Sequence, residues 1–586
     1  MGKARRKFMT RKAVLHFIAA AFLILAPFIF GWLTIKDISL ASACFTNSTV
    51  YFMALLVFIW FWAAFLILRK DNNIAKFIHS NRKNYFLIFI FILIICLPLK
   101  PNLRVLSDES NLVGVSRTMS CEKKSDQVIM GMVSQGKKSS PQYLFSLDRI
   151  IPKRPPLFPF LVAVVHIIRG YRVENVFIVN FIVLYVLICL IFTYLKNAVN
   201  ATAACAAAIL IVSHSIFIHN ANSGGYDLLY IFLMCLSFIS LDYFLTSQKE
   251  IAFRFLWINL LLLLYIRNES FIYAVLTFTA LFFIKKIPFG HLKEKLIYFC
   301  TPLLLLPFIW HKILTYQWIL AVRKQYGTSM FGWAHFLKNN IAFIEQLLKA
   351  DRYLPFAIIT FNLSLLCLIW LCVNPSVLQK MISLKKEKIY LYLIAIINFL
   401  TSWVAYTSYF WGAISSPPVS RLYMLPALVS SVISALFLTR IFFNLRYGKF
   451  LVLLLCSVIF FLYFPNSTND NFYLEYSPGW RVFKYTSNFL KNNSGKNILL
   501  ITDKPDRFVI YCGAVSFQYA NPNKELILSL KKGHILDEIY VAQKISAISN
   551  RPISKNNLDN FYKLETVAEQ PKVPVYYARI SRVIER

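Results

Sequence analysis

The sequence predicts an α-helical polytopic membrane protein of about thirteen spans, followed by a small C-terminal α/β domain. Three observations lead there. Of 586 residues, 58% are hydrophobic and only 15% charged, against about 25% charged in a soluble globular chain. The apolar residues gather in runs near the roughly 20 residues that a helix needs to cross a bilayer. The formal net charge of +36 lies mainly in short loops between those runs. Such placement serves membrane insertion, and it excludes nucleic acid as the reason for the charge.

The runs fall at 13–35, 50–68, 84–100, 175–195, 201–218, 227–246, 254–267, 270–284, 296–313, 353–372, 389–410, 422–439 and 450–464. The first follows MGKARRKFMTRK and is too long for a signal-peptide core, so it reads as a retained anchor. Basic residues set the sidedness. With the N-terminus in the cytoplasm, the inner segment 69–83 carries five Lys or Arg, 285–295 four, 373–388 four and 440–449 three. The short outer segments are nearly free of them, with none in 219–226 and only Arg421 in 411–421. Three larger segments then face outward: 101–174, 314–352 and 465–586. The chain divides into a two-span extension (1–83), a main membrane domain (84–464) and an extracytoplasmic α/β domain (465–586). In the last, 497–503, 507–515 and 537–545 read as strands and 525–533 as a helix. Eleven cysteines include no CxxC pair and no metal-type spacing.

The outer segments hold the chemistry-bearing residues. Asp108 and Glu109 open the first. Lys153 and Arg154 precede Pro155-Pro156 and a short apolar run, 156–168, suited to an interfacial helix. Two cations at headgroup level suit a lipid phosphate, although snorkelling alone would also place them there. Gly224-Gly225 form a tight turn ahead of Asp227, which begins a span and taken alone reads equally as a helix cap. Asp108, Asp227 and a histidine such as His219 could hold a divalent metal. Arg267 and Glu269 fall between two runs and read as an ion pair or a turn. Arg421, with Tyr423 beside it, departs from the positive-inside pattern, and such a departure points to function.

Together these residues resemble the GT-C class of membrane glycosyltransferases. The chain is most similar to the branch of protein O-mannosyltransferases and bacterial aminoarabinose–lipid A transferases. The resemblance covers roughly 84–586. It rests on the acidic pair Asp108-Glu109, on Arg154-Pro155-Pro156-Leu157, on Asp227 in the next outer loop, and on Arg421-Leu422-Tyr423 with Pro426. After the acidic pair this chain reads SNLVGVSR, where the family often has a Tyr-containing helix.

The resemblance implies inverting transfer of a sugar from a polyprenyl-phosphate donor to a hydroxyl of an envelope glycan, lipid or protein, outside a bacterial inner membrane. Asp108 would be the general base and Glu109 its orienting neighbour. Lys153, Arg154, Arg421 and Tyr423 would hold the phosphate, Asp227 would be a second-loop acid, and a divalent metal is optional. A secondary transporter is the chief rival, and a lipid-linked-glycan flippase or ligase the next. Transporters usually bury charges at mid-membrane in repeated, broken helices. Here, Asp242 apart, the informative charges cluster at one face and no repeat is visible.

Overall fold

A computed structural model describes residues 37–71, 78–104, 106–131, 146–283, 295–326, 330–349, 355–374, 386–410, 412–414, 417–468, 478–512, 515–518, 536–553, 562–571 and 575–584, with single positions 29 and 76. The run 13–35, almost all of loop 285–295 and the expected helix 525–533 lie outside the described residues. The chain forms two compact units. The first comprises 1–101, 153–161 and 177–469; the second comprises 102–152, 162–176 and 470–586.

The first unit is a helical bundle. Its helices are α1 (Ile38–Lys70), α2 (Arg82–Cys96), the start of α4 (Leu157–Arg169), α5 (Asn175–Ala198), α6 (Ala201–Ser213), α7 (Ser215–Ala221), α8 (Asp227–Ser247), α9 (Glu250–Leu264), α10 (Ser270–Phe283), α11 (Lys295–Tyr326), α12 (Trp333–Lys349), α13 (Ile358–Val373), α14 (Lys386–Thr407), α15 (Met424–Ile441) and α16 (Gly448–Thr468). Helix α3 (Leu106–Glu122) belongs to the second unit. Among the described residues, six helices are long and apolar enough to cross a membrane, and a seventh if α6 and α7 are taken as one bent span. The protein is therefore an integral membrane protein. Several other apolar runs fold as shorter helices, such as the 15-residue α2 and α9 and the 14-residue α10.

Burial grades across the bundle. Helix α8 is apolar on all sides and almost wholly buried, as a central helix should be. Helix α1 leaves Phe58, Phe61, Trp62 and Phe65 exposed, a surface suited to lipid. It also begins earlier than the apolar run suggests. No Gly or Pro interrupts 38–70, and the Asp37 carboxylate caps the helix by accepting from the Leu40 N–H at 3.0 Å. The run 201–218 is not one straight helix but bends by 74° at His214. The bend is stitched on both sides: Ala357 N donates to His214 Nδ1 at 3.1 Å, and Ile216 N donates to the Pro355 carbonyl at 3.0 Å.

The second unit is built on a seven-stranded mixed sheet ordered β2-β1-β4-β3-β5-β7-β6. Strands β1 (Gln127–Gly131) and β2 (Ser146–Ile150) come from the first outer segment. Strands β3 (Ile498–Thr502), β4 (Val515–Gln518), β5 (Glu538–Ser546), β6 (Lys563–Glu569) and β7 (Tyr576–Ile584) come from the C-terminal segment. Helices α17 (Pro478–Asn492) and α18 (Pro505–Cys512) accompany them. Every residue of β3 is buried, the pattern of a central parallel strand. One face is sealed by Leu499, Ile501, Ile539, Val541 and Val583.

The expected strand 507–515 is corrected to helix α18 followed by β4. Pro505 and Asp506 are a helix-start pair, with Pro at the first helical position and an acid in the first turn. The first outer segment is tied into this unit by more than β-pairing. Arg117 donates to the Val509 carbonyl at 3.0 Å, and Tyr171 to the Ile510 carbonyl at 2.8 Å.

Candidate functional site

At one end of the bundle, charged and aromatic side chains converge on Asp227. The turn ahead of it is fixed from a neighbouring helix: Asn180 of α5 donates to the carbonyls of Ser223 and Gly225, both at 2.7 Å. Asp227 thereby starts α8 with only 1% of its side chain exposed. A simple cap would accept a helix N–H, but the cap position is Tyr226 and no side-chain cap bond forms. The Asp227 carboxylate instead meets two arginines. Arg267 Nη1 lies 3.3 Å from Oδ1, and Arg421 Nη1 lies 3.5 Å from Oδ2. Among the described residues Oδ2 accepts no hydrogen bond, so this oxygen keeps acceptor capacity.

Arg267 is the hub. It sits in the break between α9 and α10 with its side chain 6% exposed. Its guanidinium lies 5.0 Å from the Tyr230 ring centroid, 5.5 Å from Tyr406 and 5.8 Å from Tyr226. Three aromatic faces replace part of the lost hydration. Glu269 Oε2 stands 3.5 Å from Arg267 Nε. Arg154 joins from the segment before α4, 5.9 Å from the Tyr226 centroid. The start of α4 is pinned at the α9–α10 break, where Leu157 N donates to the Tyr265 carbonyl at 3.1 Å. Among the described residues, three arginines and two carboxylates therefore share one end of the bundle. A buried acid is neutralised there by arginine.

The structure distributes the residues expected from sequence. Asp227, Arg421 and Arg154 come together, and Lys153 is an exposed neighbour of Arg154 in the chain. Tyr423 is fully buried, stacked on Phe343 with centroids 5.7 Å apart, and its hydroxyl donates to the Gly412 carbonyl at 2.5 Å. That hydroxyl braces the chain ahead of Arg421. His219 is buried, with Nε2 3.1 Å from the Ser467 carbonyl. Among the described residues no three His, Cys, Asp or Glu side chains are grouped so as to hold a metal.

Asp108 and Glu109 lie in the second unit, in the first turn of α3. Glu109 is buried, and its Oε2 accepts from Arg104 N at 2.9 Å. Asp108 is partly exposed. Carboxylates suit a helix N-terminus, where N–H groups point at them. The residue that sequence reasoning undervalued is Arg267. Its signal was a lone arginine in a short break between two long apolar runs, a rare and costly position.

No protein-family model matches the chain, and no curated protein matches it. Its fold is similar to solved membrane transferases at low sequence identity. The apo ArnT of Cupriavidus metallidurans is 10% identical, with 85% of this chain and 98% of that one covered at a TM-score of 0.49. ArnT bound to undecaprenyl phosphate is 11% identical over 86% and 98% of the two chains, at 0.46. The Archaeoglobus fulgidus oligosaccharyltransferase tethered to an acceptor peptide is 10% identical over 79% and 69%, at 0.45.

Proposed function

We propose that the protein transfers a sugar from a polyprenyl-phosphate donor to an acceptor hydroxyl at the outer face of a bacterial inner membrane. The N-terminus would be cytoplasmic and the second unit extracytoplasmic. The observation that carries this is the buried Asp227 clasped by Arg267 and Arg421 with Arg154 nearby. A cation-rich cluster at the end of membrane-length helices suits a phosphate whose lipid tail stays in the bilayer. The motif order shared with GT-C transferases supports the same reading.

In the proposed reaction Asp108 takes the acceptor's hydroxyl proton. The acceptor oxygen attacks the anomeric carbon, the bond from that carbon to the phosphate oxygen breaks, and polyprenyl phosphate leaves with the electron pair. One displacement inverts the anomeric centre. Arg154 and Arg421 stabilise charge growing on the phosphate, with Lys153 at the rim. Arg267 and Asp227 hold Arg421 in place. The acceptor class is an envelope glycan, lipid or protein hydroxyl.

The test is mass spectrometry of polyprenyl-phosphate sugars and envelope glycans from native cells and cells carrying Asp108→Asn. Accumulation of one lipid-linked sugar, with loss of the matching sugar mass from a glycan, is the expected result. A stably inserted variant with both pools unchanged would sink the proposal.

A further inference from the structure

The second unit contains a cleft that the transfer chemistry does not use. It is a shallow, half-open cleft among α17, the start of α18, and strands β3 and β5. Its place in the sheet matters. Strand β3 lies between two parallel neighbours, β4 and β5. From β3 the chain crosses through α18 to β4 on one side, whereas β5 flanks β3 on the other. Such a reversal opens a crevice at the carboxyl ends of the strands, where open α/β sheets bind ligands. The cleft lies at that end: Thr502, the last residue of β3, is in register with Ala542 of β5, and both line it.

Its lining chemistry is specific. Lys504 and Arg507, from the β3–α18 corner, and Lys544 of β5 contribute three cations. The one carboxylate in the lining, Asp503, is 2.7 Å from Lys544 Nζ. Gly479, in the first turn of α17, also lines the cleft. Phe483 and Phe508 add an apolar wall, with ring centroids 5.1 Å apart. A cation-rich corner beside an aromatic wall matches an anion attached to a small organic group, held at the mouth of the cleft.

We propose that this cleft binds a phosphate ester, with the phosphate on Lys504 and Arg507 and the organic part against Phe483 and Phe508. The ester is either a soluble or glycan-borne sugar phosphate or the phosphate headgroup of a lipid. The inference does not depend on the transfer reaction, and its test involves no turnover.

Glucose 6-phosphate is titrated into the full-length protein in uncharged detergent and followed by phosphorus NMR line broadening. Saturable binding is expected, unaffected by glucose and weakened about tenfold in Arg507→Gln and in Lys504→Gln. Lys504 is exposed, so its variant folds and keeps the test meaningful. Absence of saturable binding overturns the proposal. So does binding that both variants retain but Arg421→Ala loses, which would place the phosphate at the bundle end. Repeating the titration in phosphatidylcholine nanodiscs, with and without phosphatidic acid, identifies the source. Competition by phosphatidic acid supports a lipid headgroup, and its absence supports a sugar phosphate.

Discussion

The two ends of the helical bundle use charge differently. At one end, among the described residues, two lysines each meet an acid. Lys388 Nζ is 2.7 Å from Asp242, which also accepts from Tyr194 at 2.9 Å; Lys249 Nζ is 3.1 Å from Asp71, which accepts from Tyr243 at 2.7 Å. These lysine side chains are 35% and 51% exposed. At the other end arginines outnumber carboxylates, and the central trio, Asp227, Arg267 and Arg421, is 1%, 6% and 11% exposed. Those two ties are each balanced and partly exposed to water. The second end is buried and cation-rich, an arrangement that costs desolvation and is retained where it serves a ligand. Chemistry choice follows: a hydrated ammonium suits a screened tie, and a planar guanidinium can stack on tyrosines while bridging carboxylates.

The largest effect is expected at the hub. Arg267→Ala would leave Asp227 deeply buried with one of its two counter-charges gone, and should destabilise the bundle by about 3–5 kcal/mol. Thermal unfolding in detergent measures this. Arg267→Lys should recover only a minor part, because an ammonium cannot span three rings and two carboxylates. Full recovery by lysine would erase the distinction drawn between the two ends.

Arg421→Ala sharpens the functional side of the comparison. Its removal also takes a counter-charge from buried Asp227, so stability falls here too and transfer is compared per unit of folded protein. Transfer should fall about 10²–10³-fold, the scale of removing one group that stabilises developing charge. The readout is the rate at which a labelled lipid-linked sugar is consumed by membranes containing equal amounts of folded protein. Unchanged consumption would mean that the cation excess serves structure alone.

A buried polar cluster in the second unit supplies an uncharged control. His166 Nδ1 accepts from Asn175 Nδ2 at 2.9 Å, which leaves Nε2 as the protonated nitrogen, 3.1 Å from Ser116 Oγ. Burial, helped by nearby Arg117, pushes the His166 pKa down from 6.5 to about 4. The folded state therefore holds a neutral ring where the unfolded chain would take up a proton. Stability from this group is full above about pH 6.5 and is lost as pH falls toward 4. The unfolding temperature should drop through that window in the native chain and drop less in His166→Gln.

The sequence displayed part of this clearly. Long apolar runs, the Gly224-Gly225 turn and the break at 266–270 appear where their local chemistry places them, because spans, turns and helix starts are short-range features. Arg267 was visible only as an ion pair or a turn, since its cage needs Tyr406 from a distant helix. The sheet was half visible. Strand β3 is a continuous apolar run, whereas β6, KLETVAE, is polar and exposed along most of its length and gives no such signal. The joining of β1 and β2 to the C-terminal strands is a long-range pairing that no local pattern encodes. Residues 507–512 show how an apolar stretch misleads when the Pro505-Asp506 helix start is passed over.

The smallest expected effect lies at the lysine–acid ties. Lys249 is half exposed, and its partner Asp71 keeps the Tyr243 hydroxyl when the lysine is removed. Lys249→Ala should therefore cost no more than about 1 kcal/mol, within the range of exposed pairs, and that cost should shrink further in high salt. Lipid-linked sugar pools should not move. The double variant Lys249→Ala with Asp71→Asn would test the point more closely, because an independent surface tie predicts a small coupling between the two changes. A coupling as large as that between Arg267 and Asp227 would show that burial does not separate the two kinds of tie.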